Sequence, residues 1–135
     1  MNPIYDVVIL GCGEAGIFAA YELASHRPEL KVLALDQGRD IYHRSCPIVA
    51  GKVRECIHCP VCDTMCGFGG AGAFSDGKFN FTTQFGGWLT DFMEPRHVME
   101  LIDYVDSINV AHGAEQVFST ETAEARALAR RALAS

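Results

Sequence analysis

Near the start of the chain, apolar residues form short continuous runs in two places and recur at helical spacing between them. Two short apolar runs, within residues 5–10 and 31–36, are typical of buried parallel strands. Between them, apolar residues three and four positions apart predict a helix over residues 14–26. The order strand, helix, strand predicts a βαβ unit and therefore an α/β fold.

The later part of the chain carries weaker patterns. Residues 79–85 alternate phenylalanine or threonine with polar residues, which predicts a third strand. Pro95 opens a helical apolar stripe that runs to about residue 110, and Ser119 or Thr120 can cap a last helix. A doubly wound sheet needs more strands than these, and the chain stops inside a helical pattern. We therefore expect an incomplete Rossmann-like domain from the N-terminal portion of a longer protein.

The glycines after the first strand form a dinucleotide-binding fingerprint, G-x-G-x-x-G. Gly11 permits a tight turn, Gly13 lets the backbone approach a pyrophosphate, and Gly16 lets the helix pack closely on the strand. The helix N-terminus offers free N–H groups to phosphate oxygens. Asp36 stands 20 residues after Gly16, at the end of the second apolar run, where its carboxylate can accept hydrogen bonds from ribose hydroxyls.

Two other kinds of protein fit the same fingerprint. An NAD-binding dehydrogenase module uses identical glycines, and Asp36 favours an unphosphorylated adenosine ribose over that of NADP. A non-enzymatic module stapled by a metal such as zinc would use the glycine turn only as structure. The residues identify no general acid or base, so the catalytic residues stay unassigned.

Composition narrows the classes of partner. The 135 residues carry a net charge of −6, which disfavours binding to nucleic acid or to an anionic membrane. No apolar stretch approaches the roughly 20 residues of a membrane span. The N-terminus lacks the pattern of a secretory signal, so we expect a cytoplasmic protein whose six cysteines are not paired as disulfides.

Residues 37–77 show no clear periodicity and hold most of the cysteine and glycine. Cys56, Cys59, Cys62 and Cys66 have the spacing of a bacterial ferredoxin run, which favours a [4Fe–4S] cluster. Cys46 precedes a proline, as the remote fourth ligand of such clusters does, and therefore competes with Cys66.

Three alternatives to the cluster remain open. Zinc could be bound with Cys46 or His58 completing the set, although structural zinc usually takes two pairs of cysteines with a longer spacer. Cys59 and Cys62 form a C-x-x-C, which could relay electrons to a flavin as a dithiol. The cysteines could also be reduced and purely structural.

A second glycine-rich segment, residues 67–78, follows the cysteines at once. Its small residues leave backbone N–H groups uncovered, so that a phosphate or a flavin ring can come close. Gly72 to Lys78 matches a P-loop, but Phe79 stands where the magnesium ligand Ser or Thr is needed, which disfavours an NTPase. Ser75, Asp76 and Lys78 are the polar groups expected to face a cofactor, unless the segment is a glycine loop that binds nothing.

Together these segments resemble a family of flavoproteins. Residues 5–38 are similar to the FAD-binding start of two-dinucleotide-domain flavoproteins. Residues 46–78 resemble the uncharacterised FAD-dependent dehydrogenases, or NAD(P)/FAD-dependent oxidoreductases, of bacteria and archaea, and the resemblance covers most of residues 4–95. It implies a cofactor site made by Gly11, Gly13, Glu14, Ala15, Gly16, Asp36, Gln37, Gly69, Gly70, Gly72 and Ser75.

The resemblance implies the FAD-binding N-terminal part of a flavin-dependent oxidoreductase, inactive as a fragment. Its expected partners are FAD, the rest of the full-length chain and NAD(P)H, and the cysteine cluster, predicted from its spacing, would either relay electrons to or from the flavin or staple the loop. Its expected parts are a βαβ unit over 4–38, a Cys/Gly-rich loop over 39–78, and a strand and helices over 79–135.

Overall fold

A computed structural model describes residues 4–75, 77, 79–84, 86–115 and 123–133. The chain divides into two compact units, an N-terminal unit of residues 1–78 and a C-terminal unit of residues 79–135. No helix among the described residues is long and apolar enough to cross a membrane.

The N-terminal unit begins with a strand, a helix and a second strand. They are β1 (Val7–Leu10), α1 (Glu14–His26) and β2 (Val32–Leu35). The two strands are parallel, with Val7 opposite Val32 and Leu10 opposite Leu35. The predicted mixed α/β arrangement is confirmed, and each strand coincides with its apolar run and is shorter than the range predicted for it, residues 5–10 and 31–36.

Helix α1 covers one face of this small sheet. A Cβ at Gly16 would overlap the Gly11 carbonyl oxygen and lie 3.4 Å from Ile9 Cγ2, so the helix packs closer than any larger residue allows. The other face is open, because the side chains of Val8 and Leu10 are 50% and 81% exposed.

The Cys/Gly-rich segment is ordered around one arginine. Arg44 is 7% exposed and donates hydrogen bonds to the carbonyls of Asp63, Thr64 and Phe68 at 2.7 to 2.8 Å. Its guanidinium also lies 4.8 Å from the centre of the Phe74 ring, a cation–π distance. A planar fork with five donors suits three carbonyls that point to one place. The segment therefore has a polar centre instead of an apolar one.

Two short 3₁₀ helices lie within this segment, at Ile41–His43 and at Gly70–Phe74. The absence of a periodic pattern in the sequence is consistent with such short elements, which bury no continuous stripe.

The C-terminal unit contains a 3₁₀ helix at Leu89–Asp91, α2 (Pro95–Ala111) and α3 (Ala123–Leu133). The helix predicted to begin at Pro95 is confirmed, with the proline in its first turn and Val98 buried. A last helix is confirmed too, while its predicted caps, Ser119 and Thr120, lie outside the described residues.

The strand predicted over residues 79–85 is wrong for the part that the structure describes. Residues 79–84 have no strand pairing, and residues 83 and 84 form a turn. Phe79 and Phe81 instead bring their rings to 6.5 Å between centroids. An alternating pattern forms a strand only where a neighbouring strand accepts its hydrogen bonds.

Candidate functional site

A cavity of about 630 Å³ opens where β1 and β2 end. Because the strands are parallel, the backbone leaves both of them at this same edge of the sheet. Three segments border the cavity: the first turn, the end of β2 and part of the Cys/Gly-rich segment. The lining residues are Leu10, Gly11, Gly13, Leu35, Asp36, Gln37, Met65, Cys66 and Gly70.

The N-terminus of α1 lies at this cavity. Gly13 is its N-cap residue, with extended backbone at φ −72° and ψ −173°, and no side chain caps the first turn. The N–H groups of that turn have no partner within the helix and carry the positive end of its dipole. This arrangement suits an anionic group such as a phosphate.

The fingerprint glycines have different reasons to be glycine. Gly11 has φ +99°, a left-handed conformation that other residues rarely adopt. Gly16 has no room for a Cβ. Gly13 has neither constraint, since a Cβ there would meet only the Gly70 Cα at 3.9 Å.

Asp36 joins three backbone segments that are distant in the sequence. Its Oδ2 accepts a hydrogen bond from the Cys12 N–H at 2.7 Å. Its Oδ1 accepts from Gly38 at 2.8 Å and from Gly67 at 2.6 Å. A carboxylate has about four acceptor positions, so one remains for a ligand.

These bonds lower the pKa of Asp36 below its ordinary value of 3.8. The hydrogen bond from the Cys12 N–H contributes most, followed by that from Gly38, and the bond from Gly67 adds to them. Each donor stabilises the ionised carboxylate, so Asp36 is a negative charge at the rim of the cavity over the neutral pH range.

The second glycine-rich segment docks onto the first glycine turn. The Gly69 N–H donates to the Cys12 carbonyl at 2.8 Å. A Cβ at Gly70 would lie 3.0 Å from the Gly13 Cα, and one at Gly72 would lie 2.6 Å from Glu14 Oε1. The two glycine-rich segments thus meet in one place, through contacts between residues 57 or 58 positions apart in the sequence.

The structure divides the residues predicted to bind the cofactor into two groups. Gly11, Gly13, Asp36, Gln37 and Gly70 border the cavity. The others are absent from its lining: Glu14, Ala15, Gly16, Gly69, Gly72 and Ser75. Of that second group, Gly16, Gly69 and Gly72 pack the first turn or the second glycine-rich segment in place.

The polar groups expected after Gly72 do not reach the cavity in the described part of the chain. Ser75 is exposed, and its Oγ accepts a hydrogen bond from the Gly77 N–H at 3.1 Å. Asp76 and Lys78 lie outside the described residues.

Four of the five cysteines predicted to bind a metal lie together, and the fifth lies apart. Cys46, Cys56, Cys59 and Cys62 border a second cavity, of about 40 Å³. Cys66 borders the large cavity instead. None of these cysteines forms a disulfide. No group of three or more Cys, His, Asp or Glu among the described residues is arranged to hold a metal ion.

One thiol of the small cavity is electrostatically distinct. The Val49 N–H, the Thr64 side chain and the Ile48 N–H, in that order, hydrogen-bond the sulfur of Cys46 and lower its pKa below the ordinary 9.0. Hydrogen-bond donors of this kind stabilise the thiolate form.

Sequence reasoning missed Arg44 and Met65. Met65 borders the large cavity beside Cys66, and Arg44 fixes the turn that carries both. An isolated arginine in an aperiodic segment gives no local signal, because its partners are carbonyls 19 to 24 residues away.

Comparison with known proteins gives short local matches. The chain is 51% identical over 37 residues to the thiamine thiazole synthase of Coprinopsis cinerea, which is 27% of this chain and 12% of that protein. It is 54% identical over 33 residues to the thiamine thiazole synthase of Phaeosphaeria nodorum, which is 24% of this chain and 10% of that protein.

The matched part spans about a tenth of the length of these curated relatives. No family model matches the chain, and no solved structure matches it. The chain is therefore similar to thiamine thiazole synthases over about a quarter of its own length.

Proposed function

We propose that this chain binds the ADP portion of FAD and belongs to a flavin-dependent oxidoreductase. The observation that carries the proposal is Gly13. Among the thirteen glycines, all of them in the described part of the chain, it alone has neither a left-handed φ nor a Cβ position closer than 3.0 Å to another atom. The fold does not require glycine there, whereas a pyrophosphate at the helix N-terminus does.

The cavity offers a partner for each part of ADP. The uncapped first turn of α1 would bind the pyrophosphate. The remaining acceptor position of Asp36 would bind a ribose hydroxyl, and Leu10 and Leu35 give an apolar wall for the adenine. The volume of about 630 Å³ lies within the ordinary range for small-molecule sites.

FAD, when bound, would supply hydride or electron transfer, and this chain's residues would bind and orient it. The resemblance of residues 46–78 to FAD-dependent dehydrogenases favours FAD over NAD. The short matches to thiamine thiazole synthases support an enzyme.

Four of the predicted metal ligands border the small cavity, but no group of three or more Cys, His, Asp or Glu among the described residues is arranged to hold a metal ion. We therefore derive no electron transfer through them, and the proposed function depends on the nucleotide cavity alone.

The test compares Gly13→Ala, which should weaken ligand binding and spare stability, with a control that should lower stability and spare ligand binding. Gly13→Ala should leave the free energy of unfolding within about 0.5 kcal/mol of wild type, because nothing crowds the new methyl group. It should weaken ADP and FAD binding at least tenfold, about 1.4 kcal/mol, by titration calorimetry. Gly51→Ala, at φ +67° and outside the cavity lining, should cost about 1 kcal/mol of stability and leave ADP affinity unchanged.

Equal ADP affinity in wild type and Gly13→Ala would contradict the proposal. NAD titrated in parallel separates the nicotinamide alternative, since a site for the ADP portion of FAD alone would not bind NAD more tightly than FAD.

A further inference from the structure

The end of the Cys/Gly-rich segment forms the third wall of the nucleotide cavity. Met65, Cys66 and Gly70 border it, facing the first glycine turn and the end of β2. The spacing C-x₂-C-x₂-C-x₃-C groups Cys66 with Cys62 and its predecessors, but Cys62 borders the small cavity. The structure thus separates two cysteines that the spacing joins.

The backbone around Cys66 explains this separation. A single turn leads from Cys62 to Cys66, whose N–H donates to the Cys62 carbonyl at 2.8 Å. The next residue, Gly67, donates its N–H to Asp36 at 2.6 Å. A Cβ at Gly38 would lie 2.5 Å from the Cys66 carbonyl carbon. The backbone at Gly38 and the backbone at Cys66 are therefore in direct contact, with no side chain between them.

The thiol itself faces groups of the nucleotide site. Its Sγ accepts a hydrogen bond from Gln37 Nε2 at 3.0 Å, and Gln37 follows Asp36 directly. Cys66 is half-buried, and it is held beside the carboxylate that would bind the ribose. A small thiol leaves room at this rim where a larger side chain would fill the space.

We infer that Cys66 is a contact residue for the adenosine portion of a bound dinucleotide and not a fourth member of a metal-binding cysteine set. This inference rests on the proposed function. Bound ADP covers the Cys66 thiol and leaves Cys56 and Cys59, which are exposed and border the small cavity, as accessible as before.

The test follows alkylation of each cysteine by N-ethylmaleimide with mass spectrometry, with and without saturating ADP. ADP affinity is measured on the same preparation by titration calorimetry. We expect ADP to slow the alkylation of Cys66 at least tenfold and to change the rates at Cys56 and Cys59 less than twofold.

The outcomes separate this inference from the function beneath it. If ADP binds and Cys66 reacts at its original rate, the inference is overturned and the nucleotide site stands. If ADP does not bind, both are overturned. If Zn²⁺ protects Cys66 together with Cys56 and Cys59, Cys66 belongs to a metal-binding set and the inference is overturned.

A pair of variants tests the same contact without chemical modification. Cys66→Trp should fill the rim of the cavity and weaken ADP binding at least tenfold. Cys56→Trp makes the same change at an exposed cysteine outside the cavity lining and should leave ADP affinity within twofold of wild type. Cys66→Ser retains the size and hydrogen-bonding capacity of the side chain and should bind ADP like wild type, and urea unfolding of Cys66→Trp distinguishes a filled cavity from loss of folding.

Discussion

Asp36 and Arg44 each hold together pieces of backbone that are far apart in the sequence. The Asp36 carboxylate accepts hydrogen bonds from N–H groups of the first turn, of Gly38 just before the Cys/Gly-rich segment, and of Gly67 within it. The Arg44 guanidinium donates to three carbonyls within that segment. The Asp36 carboxylate among backbone N–H donors and the Arg44 guanidinium among carbonyl acceptors therefore shape the cavity more than apolar packing does.

Replacing Asp36 by asparagine should destabilise the protein by about 1–3 kcal/mol, because an amide NH₂ would face backbone donors. The pKa of Asp36 is lowered in the folded state, so its stabilising contribution is present above the ordinary pKa of 3.8 and is lost as pH falls through the lower folded value. Wild type should therefore lose stability relative to Asp36→Asn as the pH falls below about 4. Urea unfolding at a series of pH values measures this difference.

The control for Asp36 is Asp103→Asn, at an exposed position on α2. It should keep the pH dependence of wild type. A parallel pH dependence in wild type and Asp36→Asn would show that the three backbone donors do not stabilise the carboxylate.

Replacing Arg44 by lysine should cost about 2 kcal/mol or more, because an ammonium cannot reproduce the planar fork that reaches three carbonyls. Arg39→Lys is the matched control, since Arg39 is exposed and lies 4.0 Å from Asp63 in a surface ion pair. That change should stay within about 0.5 kcal/mol. Equal losses of unfolding free energy in the two variants would contradict the role assigned to Arg44.

The roles of single residues were only partly predictable. The two fingerprint glycines with structural roles, Gly11 and Gly16, follow from a local turn that their spacing encodes. The bonds of Asp36 with Cys12 and Gly67 and the carbonyl contacts of Arg44 depend on backbone 19 to 31 residues away, which no local pattern records.

At the level of elements, β1 is the clearest case of a strand whose two faces differ. Val7 is half-buried, whereas Val8, the next residue, is 50% exposed on the open face. Successive side chains of a strand point to opposite faces, so the same substitution tests both environments.

Val7→Thr should cost about 1 kcal/mol or more, because it places a hydroxyl between the sheet and α1. Val8→Thr should change the free energy of unfolding by less than about 0.5 kcal/mol. Urea unfolding of the two variants is the measurement. Equal costs would mean that the two faces of the sheet are buried to the same extent.

Strands β1 and β2 and the helices follow from strong local patterns, whereas the alternating segment at residues 79–84 depends on a neighbouring strand. The helices at Glu14 and Pro95 follow from their apolar spacing and from the proline in the first turn of α2. The alternation over residues 79–84 has no pairing strand among the described residues and so yields no strand. The cysteine spacing likewise does not indicate which of the two cavities each thiol borders.

Across the whole molecule, few apolar side chains are fully buried. Cys12 and Val98 are the buried apolar residues of the described part, while large side chains such as Leu10, Trp88 and Phe92 are 78% to 85% exposed. Apolar surface of this extent favours association, and the net charge of −6 opposes it by repulsion between chains.

Self-association should therefore increase when this repulsion is removed. We expect light scattering to be lowest at pH 8 and low salt, to rise with added sodium chloride, and to peak near the sequence pI of about 5.2. Scattering that is independent of both pH and salt would show that charge repulsion does not keep the chains apart.

The contacts of Arg44 and Ser45 with Asp63 determine how far the loop of residues 46–62 can vary in length. Arg44 donates a hydrogen bond to the Asp63 carbonyl, and the Ser45 N–H donates one to the Asp63 carboxylate at 2.9 Å. The two ends of the loop formed by residues 46–62 therefore lie close together. The entropy of closing such a loop grows slowly, by about 0.6 kcal/mol for each doubling of its length. Insertions or deletions between those ends would therefore be tolerated with little change to the glycine turn. The loop is a place where related proteins can diverge, and where a new binding sequence can be grafted, without rebuilding the large cavity.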